Sequence, residues 1–146
     1  MSASYSFSGT WTVPATPEQV HEVLVDLERY PRWWPQVLAV ASLGPDDARV
    51  LCRSALPYTL DLLLHARRRE VTRLEVGIEG DLRGWACWEL AAVPQGTRLD
   101  FTQEVSVSGW LRRISPLLGP VLRWNHDRMM AGCIAGLSGR VVSRRA

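Results

Sequence analysis

The sequence has only three cysteines, no lysine, and none of the common catalytic patterns. Cys52, Cys87 and Cys133 are odd in number, lie far apart and form no CxxC or CxxH pair. Such a set predicts buried reduced thiols rather than disulfides or a structural zinc site. GxSxG, GxGxxG, phosphate-loop, HxH and HExxH patterns are also missing, so we expect no metal and no cofactor.

Long apolar runs and a strong net charge are absent as well. No window approaches 18 consecutive apolar residues, so no transmembrane helix is predicted. The first residues lack the basic start and apolar core of a signal peptide, and we therefore expect a cytoplasmic protein. A net charge of +2 is too small to imply a nucleic-acid partner. All 17 basic residues are arginine, which is typical of a GC-rich bacterial genome.

Arginine is concentrated in the C-terminal part of the chain. From Ser108 onward the sequence contains one acidic residue, Asp127, and seven arginines. These are Arg112, Arg113, Arg123, Arg128, Arg140, Arg144 and Arg145. A helix that carries this many arginines is usually solvated along its polar face. The alternative is transient contact with an anionic membrane surface or ligand.

The N-terminal third predicts a strand followed by a capped helix. Residues Tyr5–Val13 alternate between apolar and polar side chains, which indicates a half-buried strand. Thr16 is then a predicted N-cap, with Pro17 at the first helical position and Gln19 completing a capping box. We expect Pro31 to end this helix and an aromatic turn or one-turn helix to follow it.

The rest of the chain predicts six strands and one long helix. Short turns join the strands, so the pairing is antiparallel. The predicted strands begin at Gln36 and include Val50–Leu56, Tyr58–Arg69, Arg73–Glu79, Leu82–Ala92 and Thr97–Val107. Apolar 4-3-4 spacing then predicts a helix from Pro120 to Val142, with Pro116 and Pro120 giving a broken or kinked entry.

Together these elements predict an α+β fold. A seven-stranded curved antiparallel sheet would wrap around the long C-terminal helix, with two short helices after the first strand. We expect residues 1–146 to form a single domain. One helix cannot fill the concave side of such a sheet, so a cavity remains.

Six segments, in order along the chain, resemble the START-like (SRPBCC) superfamily, of the polyketide cyclase/dehydrase or coenzyme-Q-binding type. The segments are residues 17–20, 26–35, 56–60, 79–84 with Trp88, 96–99 and 123–128. The resemblance implies the same helix-grip fold and a cavity for a hydrophobic molecule. It also implies that Trp33 and Trp34 border the cavity mouth, with core packing as the alternative role for at least one of them.

Strand alternation predicts which side chains line the cavity. The uncharged faces of three strands would contribute Tyr58, Leu62, Trp88, Phe101 and Gln103. The helix stripe adds Asn125 and Met129, and the resemblance adds Trp34. Gln103 and Asn125 are polar on apolar faces, so each needs a partner: one another, a buried water or a ligand.

Trp85 has the opposite parity to Trp88. An outward tryptophan indicates a self-association surface, and hence a homodimer, or an error in the register.

Catalysis is weakly supported by the sequence. His126 is the best single candidate for acid/base chemistry, and a core-edge histidine is its alternative role. No acid is predicted to point inward. We therefore favour a binding protein for a polyketide, isoprenoid quinone or lipid. The alternatives are a polyketide aromatase/cyclase that promotes aldol cyclisation and dehydration, and a protein-interaction module.

Overall fold

Seven alternating segments form one antiparallel sheet in the computed structural model, which describes residues 4–53, 59–107 and 110–145. The sheet order is β1-β7-β6-β5-β4-β3-β2, so the first strand pairs with the last. The strands are β1 (Ser4–Val13), β2 (Val37–Ser42), β3 (Asp47–Arg53), β4 (Thr59–Glu70), β5 (Arg73–Gly80), β6 (Leu82–Val93) and β7 (Gly96–Val107). The predicted fold class is confirmed, although β3 begins before the predicted Val50.

Glycine makes two of the hairpin turns possible. Gly80 ends β5 with a φ of 107°, and Gly96 begins β7 with a φ of 138°. Residues with side chains rarely adopt such positive φ angles, whereas glycine can, because it has no side chain to clash with the backbone. A β-carbon at Gly96 would also overlap the carbonyl oxygen of Val13 in β1. Both turns therefore hold neighbouring strands in the register that builds the cavity wall.

Helix α1 (Pro17–Val25) begins as its sequence predicts. The Thr16 side chain accepts a hydrogen bond from the Gln19 backbone, and the Gln19 side chain accepts one from the Thr16 backbone, so the capping box is complete. The predicted end at Pro31 was wrong. The backbone leaves helical geometry at Asp26, with φ −90° and ψ 69°, and Pro31 lies inside a separate 3₁₀ helix (Leu27–Arg32).

Helix α2 (Trp110–Arg145) is longer than predicted and contains both Pro116 and Pro120. The prediction of a start after Pro120 was wrong. A proline removes one backbone hydrogen bond and clashes with the preceding turn, at a cost of about 3 kcal/mol, but neither effect must end a helix. Farther along α2, the buried side chains Cys133, Leu137 and Val141 anchor the helix in the core. That burial offsets the local cost.

Two glycines of α2 face the segment between α1 and β2. A β-carbon at Gly136 would overlap the carbonyl oxygen of Trp33, and one at Gly132 would overlap the side chain of Gln36. The helix backbone therefore approaches this segment more closely than any residue with a side chain would allow. This contact places α2 against the rim of the sheet.

Two further predictions concern the cysteines and Trp85. All three cysteines are free and buried, as predicted. The register of β6 is also as predicted, with Trp85 opposite Gly77 and on the face away from Trp88. Trp85 is half-buried, however, not exposed. The Arg67 side chain lies over the neighbouring Gly77 and covers this part of the outer face.

Within the described ranges, every helix is too short or too polar to span a membrane.

Candidate functional site

A cavity of about 540 Å³ lies between the concave face of the sheet and α2. This volume is within the range of small-molecule sites, which are about 300–1,000 Å³. Alternate residues of the strands supply a mostly apolar wall. Along β4, for example, the wall contains Leu60, Leu62, Leu64 and Ala66.

The structure brings the sequence-predicted site residues together around this cavity. Its lining includes Trp34, Leu62, Trp88, Phe101, Gln103, Asn125, Met129 and the weaker candidate His126. Tyr58 lies outside the described residues. Seven of the eight predicted ligand contacts therefore border one space, and their contact with a ligand stays a prediction.

The two neighbouring tryptophans have different roles. Trp33 is buried with 7% of its surface exposed, and its ring centroid lies 4.8 Å from that of Tyr30 in the core. Trp34 lines the cavity, and its Nε1 donates a hydrogen bond of 3.0 Å to the carbonyl of Met129. The Trp34 indole therefore ties the segment after the 3₁₀ helix to α2 while its ring remains part of the cavity wall.

His126 and Gln103 form a polar pair on this apolar wall. The His126 Nε2 lies 2.8 Å from the Gln103 Oε1, and Gln103 is buried. The imidazole stacks on Phe7, with ring centroids 3.9 Å apart and planes at 11°. Burial lowers the pKa of His126 to about 4, so the ring is neutral at pH 7. Nε2–H is then the donor to Gln103, and Nδ1 is left as an acceptor.

This pair answers one question that the sequence left open. Gln103 needed a buried partner, and the structure supplies His126, which was not among the predicted partners. Asn125 is buried and lines the same cavity. Sequence reasoning also missed Phe7 as the stacking partner of His126. The inward parity of β1 was the available signal, because Phe7 lies directly opposite Gln103 in β7.

The other two histidines lie away from the cavity lining. His21 Nε2 donates to the carbonyl oxygen of Arg69 at 2.8 Å, which joins α1 to β4. His65 lies on the outer face, as predicted, between the carboxylates of Asp47 and Glu79. These carboxylates raise the pKa of His65. Among the histidines, therefore, His126 is the one placed to meet a ligand.

A β-bulge places Arg69 at the cavity, although simple alternation along β4 would point its side chain outward. The β4–β5 register shifts between Ala66, opposite Val76, and Arg68, opposite Glu75. Arg69 consequently lies opposite Leu74, whose side chain lines the cavity. Arg69 also borders a second, smaller cavity of about 210 Å³. The alternation of residues along the sequence does not indicate this register shift.

Comparison with solved structures shows which proteins share this fold. TTHA0849 from Thermus thermophilus is 19% identical, with a TM-score of 0.82 over 99% of this chain and 100% of that one. A START superfamily protein from Mycobacterium smegmatis is 17% identical, with a TM-score of 0.74 over 96% and 97%. The Zhui aromatase/cyclase from Streptomyces sp. R1128 is 15% identical, with a TM-score of 0.80 over 99% and 97%.

The sequence itself decides the family. No curated protein matches the chain. Residues 4–142 match the family described as polyketide cyclase / dehydrase and lipid transport, a span from β1 almost to the end of α2. The chain therefore belongs to the polyketide cyclase/dehydrase and lipid transport family.

Proposed function

We propose that the protein binds a hydrophobic small molecule, of the polyketide, isoprenoid quinone or lipid class, in the 540 Å³ cavity. The observation that supports this most is the character of the wall, which is apolar over most of its surface and interrupted by very few polar groups. Removing a ligand's apolar surface from water contributes about 25 cal/mol of binding free energy per Å² of that surface. A homodimer, a transient membrane contact and a cytoplasmic location stay predictions.

The polar pair would orient the ligand inside this apolar space. Gln103 Oε1 accepts from His126, and no described residue accepts from the Gln103 amide N–H groups, so these could donate to a ligand. Nδ1 of His126 remains available as an acceptor. A carbonyl and a neighbouring hydroxyl on the ligand would satisfy both. Because His126 is neutral, this end of the ligand would be uncharged.

Filling the cavity should weaken ligand binding strongly without unfolding the protein. Ala86 lines the cavity, whereas Ala91, in the same strand, has the opposite parity. We expect Ala86→Phe to weaken binding of an apolar fluorescent probe at least about tenfold, because the new ring takes up ligand volume. Ala91→Phe is the matched control and should leave binding unchanged. Probe titration with both variants measures this difference.

Native mass spectrometry of gently purified protein supplies the independent test. A co-purified lipid-like mass that is lost in Ala86→Phe would support the proposal. Equal probe affinity in wild type and both variants would contradict it, because the probe would then bind elsewhere on the surface.

An aromatase/cyclase is the second candidate. The observation in its favour is the neutral His126 on a wall of flat rings, including Trp88 and Phe101, whose centroids are 4.7 Å apart. A base with a pKa of about 4 is weak at pH 7. Cyclisation would therefore depend on how the cavity folds a poly-β-ketone chain, with His126 and Gln103 orienting its carbonyl groups.

Incubation with a poly-β-ketone separates the two candidates. A cyclase would form cyclised product faster than the spontaneous background, and His126→Gln would change the rate or the product pattern. A rate equal to the background, with the probe still bound, would leave binding as the function.

A further inference from the structure

We infer that the ligand carries an anionic head group, a carboxylate or a phosphate, and that Arg69 binds it where its exposed side chain borders the cavity. The inference rests on the proposed function, and it adds a charge requirement at the end of the cavity that the polar pair does not serve.

The charges around the cavity are of one sign. Among the described residues that line it, the charged ones are Arg68 and Arg69, and aspartate and glutamate are not found there. Arg68 lies opposite Glu75 in the β5 strand, whereas Arg69 lies opposite the inward Leu74. A positive group at the rim of a low-dielectric cavity attracts anions strongly. A fully uncharged ligand would make no use of it.

The guanidinium of Arg69 is held in place but not saturated. Its Nη2 donates to the carbonyl oxygen of Pro45 and lies 3.0 Å from the Asp46 carboxylate. His21 holds the backbone of the same residue. All these side-chain contacts use Nη2, and the described residues supply no partner for Nε or Nη1. A guanidinium N–H that has no protein partner can donate a charge-assisted hydrogen bond to a carboxylate or phosphate oxygen.

The surroundings of Arg69 favour an anion in the larger cavity over the smaller one. The smaller cavity, which shares Arg69 with the larger one, is bordered by four carboxylates: Asp26, Glu28, Asp46 and Asp47. They would repel an anion there, whereas the described lining of the larger cavity presents no acid. The Arg69 side chain is 52% exposed, so a head group at this point reaches solvent while the apolar body lies inside. An amphiphile with one acidic end fits this arrangement.

Matched ten-carbon ligands test the inference. Decanoate, decyl phosphate and decanol share one chain, and displacement of a bound apolar fluorescent probe at low ionic strength gives each affinity. We expect the wild type to bind one of the two anions about tenfold or more tighter than decanol, because a charge-assisted pair replaces a neutral hydrogen bond. The anion that binds more tightly identifies a carboxylate or a phosphate head.

Two variants assign the preference to Arg69. Arg69→Gln should remove the preference for the anion while decanol binds as before. Asp46→Asn should increase anion affinity severalfold, because it removes the competing carboxylate. If Arg69 only fastened the β2–β3 turn, Asp46→Asn would leave anion affinity unchanged or lower it. That result would overturn the inference even if Arg69→Gln did not fold.

The outcomes also separate this inference from the proposed function. Equal binding of decanol and both anions by the wild type would overturn the anionic head group and leave the hydrophobic binder standing. Failure of all three ligands to displace the probe would count against the proposed function as well.

Discussion

Gly136→Ala is expected to lower the free energy of unfolding by about 2 kcal/mol. The new methyl group would overlap the carbonyl oxygen of Trp33, a backbone atom that cannot rotate away. Helix α2 would have to move off the rim or strain the segment after the 3₁₀ helix, and overpacking of this kind costs about 1–3 kcal/mol. The gain in helix propensity on replacing glycine, about 1 kcal/mol, offsets only part of a cost at the upper end of this range or beyond it.

Gly139 in the same helix is the matched control. A β-carbon there meets no atom of the described residues within 4 Å, so Gly139→Ala should stabilise the protein by up to about 1 kcal/mol through helix propensity alone. Urea unfolding followed by circular dichroism measures both variants. If Gly136→Ala were as stable as Gly139→Ala, the close approach of α2 to Trp33 would be refuted.

The second expected result is a loss of stability in mild acid, caused by His126. Its pKa is about 4 in the folded protein, against an ordinary value of about 6.5 in the unfolded chain. The unfolded state therefore takes up the proton first. The contribution to stability is present above pH 6.5 and is lost as the pH falls from about 6.5 to about 4. Its size is at most about 3.5 kcal/mol, at about 1.4 kcal/mol per pKa unit.

Urea unfolding of His126→Gln between about pH 4.5 and 7.5 tests this expectation. Glutamine removes the titration and retains a donor for Gln103, so the slope of stability with pH should flatten. His65→Gln is the comparison. The pKa of His65 is raised by Asp47 and Glu79, so its contribution is present below about pH 6.5 and lost as the pH rises through its folded pKa. An unchanged slope in His126→Gln would mean that His126 is not buried as a neutral ring.

Alternation and turn chemistry were enough to predict the sheet and most of the cavity wall. The uncharged faces of β6 and β7 predicted that Trp88, Phe101 and Gln103 share one side, and the structure places all three on the cavity. The capping box likewise predicted the start of α1. These features depend on neighbours a few residues apart, which a sequence displays directly.

What the sequence did not reveal depends on contacts between distant segments. The pairing of His126 with Gln103 joins residues 23 positions apart in different elements. The inward turn of Arg69 comes from a one-residue shift in pairing that no residue type at that point demands. The passage of α2 through Pro116 and Pro120 reflects anchoring farther along the helix. Tertiary packing decided each of these outcomes over a local rule.

The pairing of β1 with β7 has a consequence for how the chain must be made. Between the end of β1 at Val13 and the start of β7 at Gly96 lie 82 residues, so β1 has no neighbour until nearly the whole sheet has been synthesised. Helix α2 follows β7 and emerges from the ribosome after it. Until then the apolar concave face is uncovered, and such surfaces are where nascent chains aggregate or recruit chaperones. The hydrophobic interior suited to a ligand is thus also the part of the protein most exposed to error during its own synthesis.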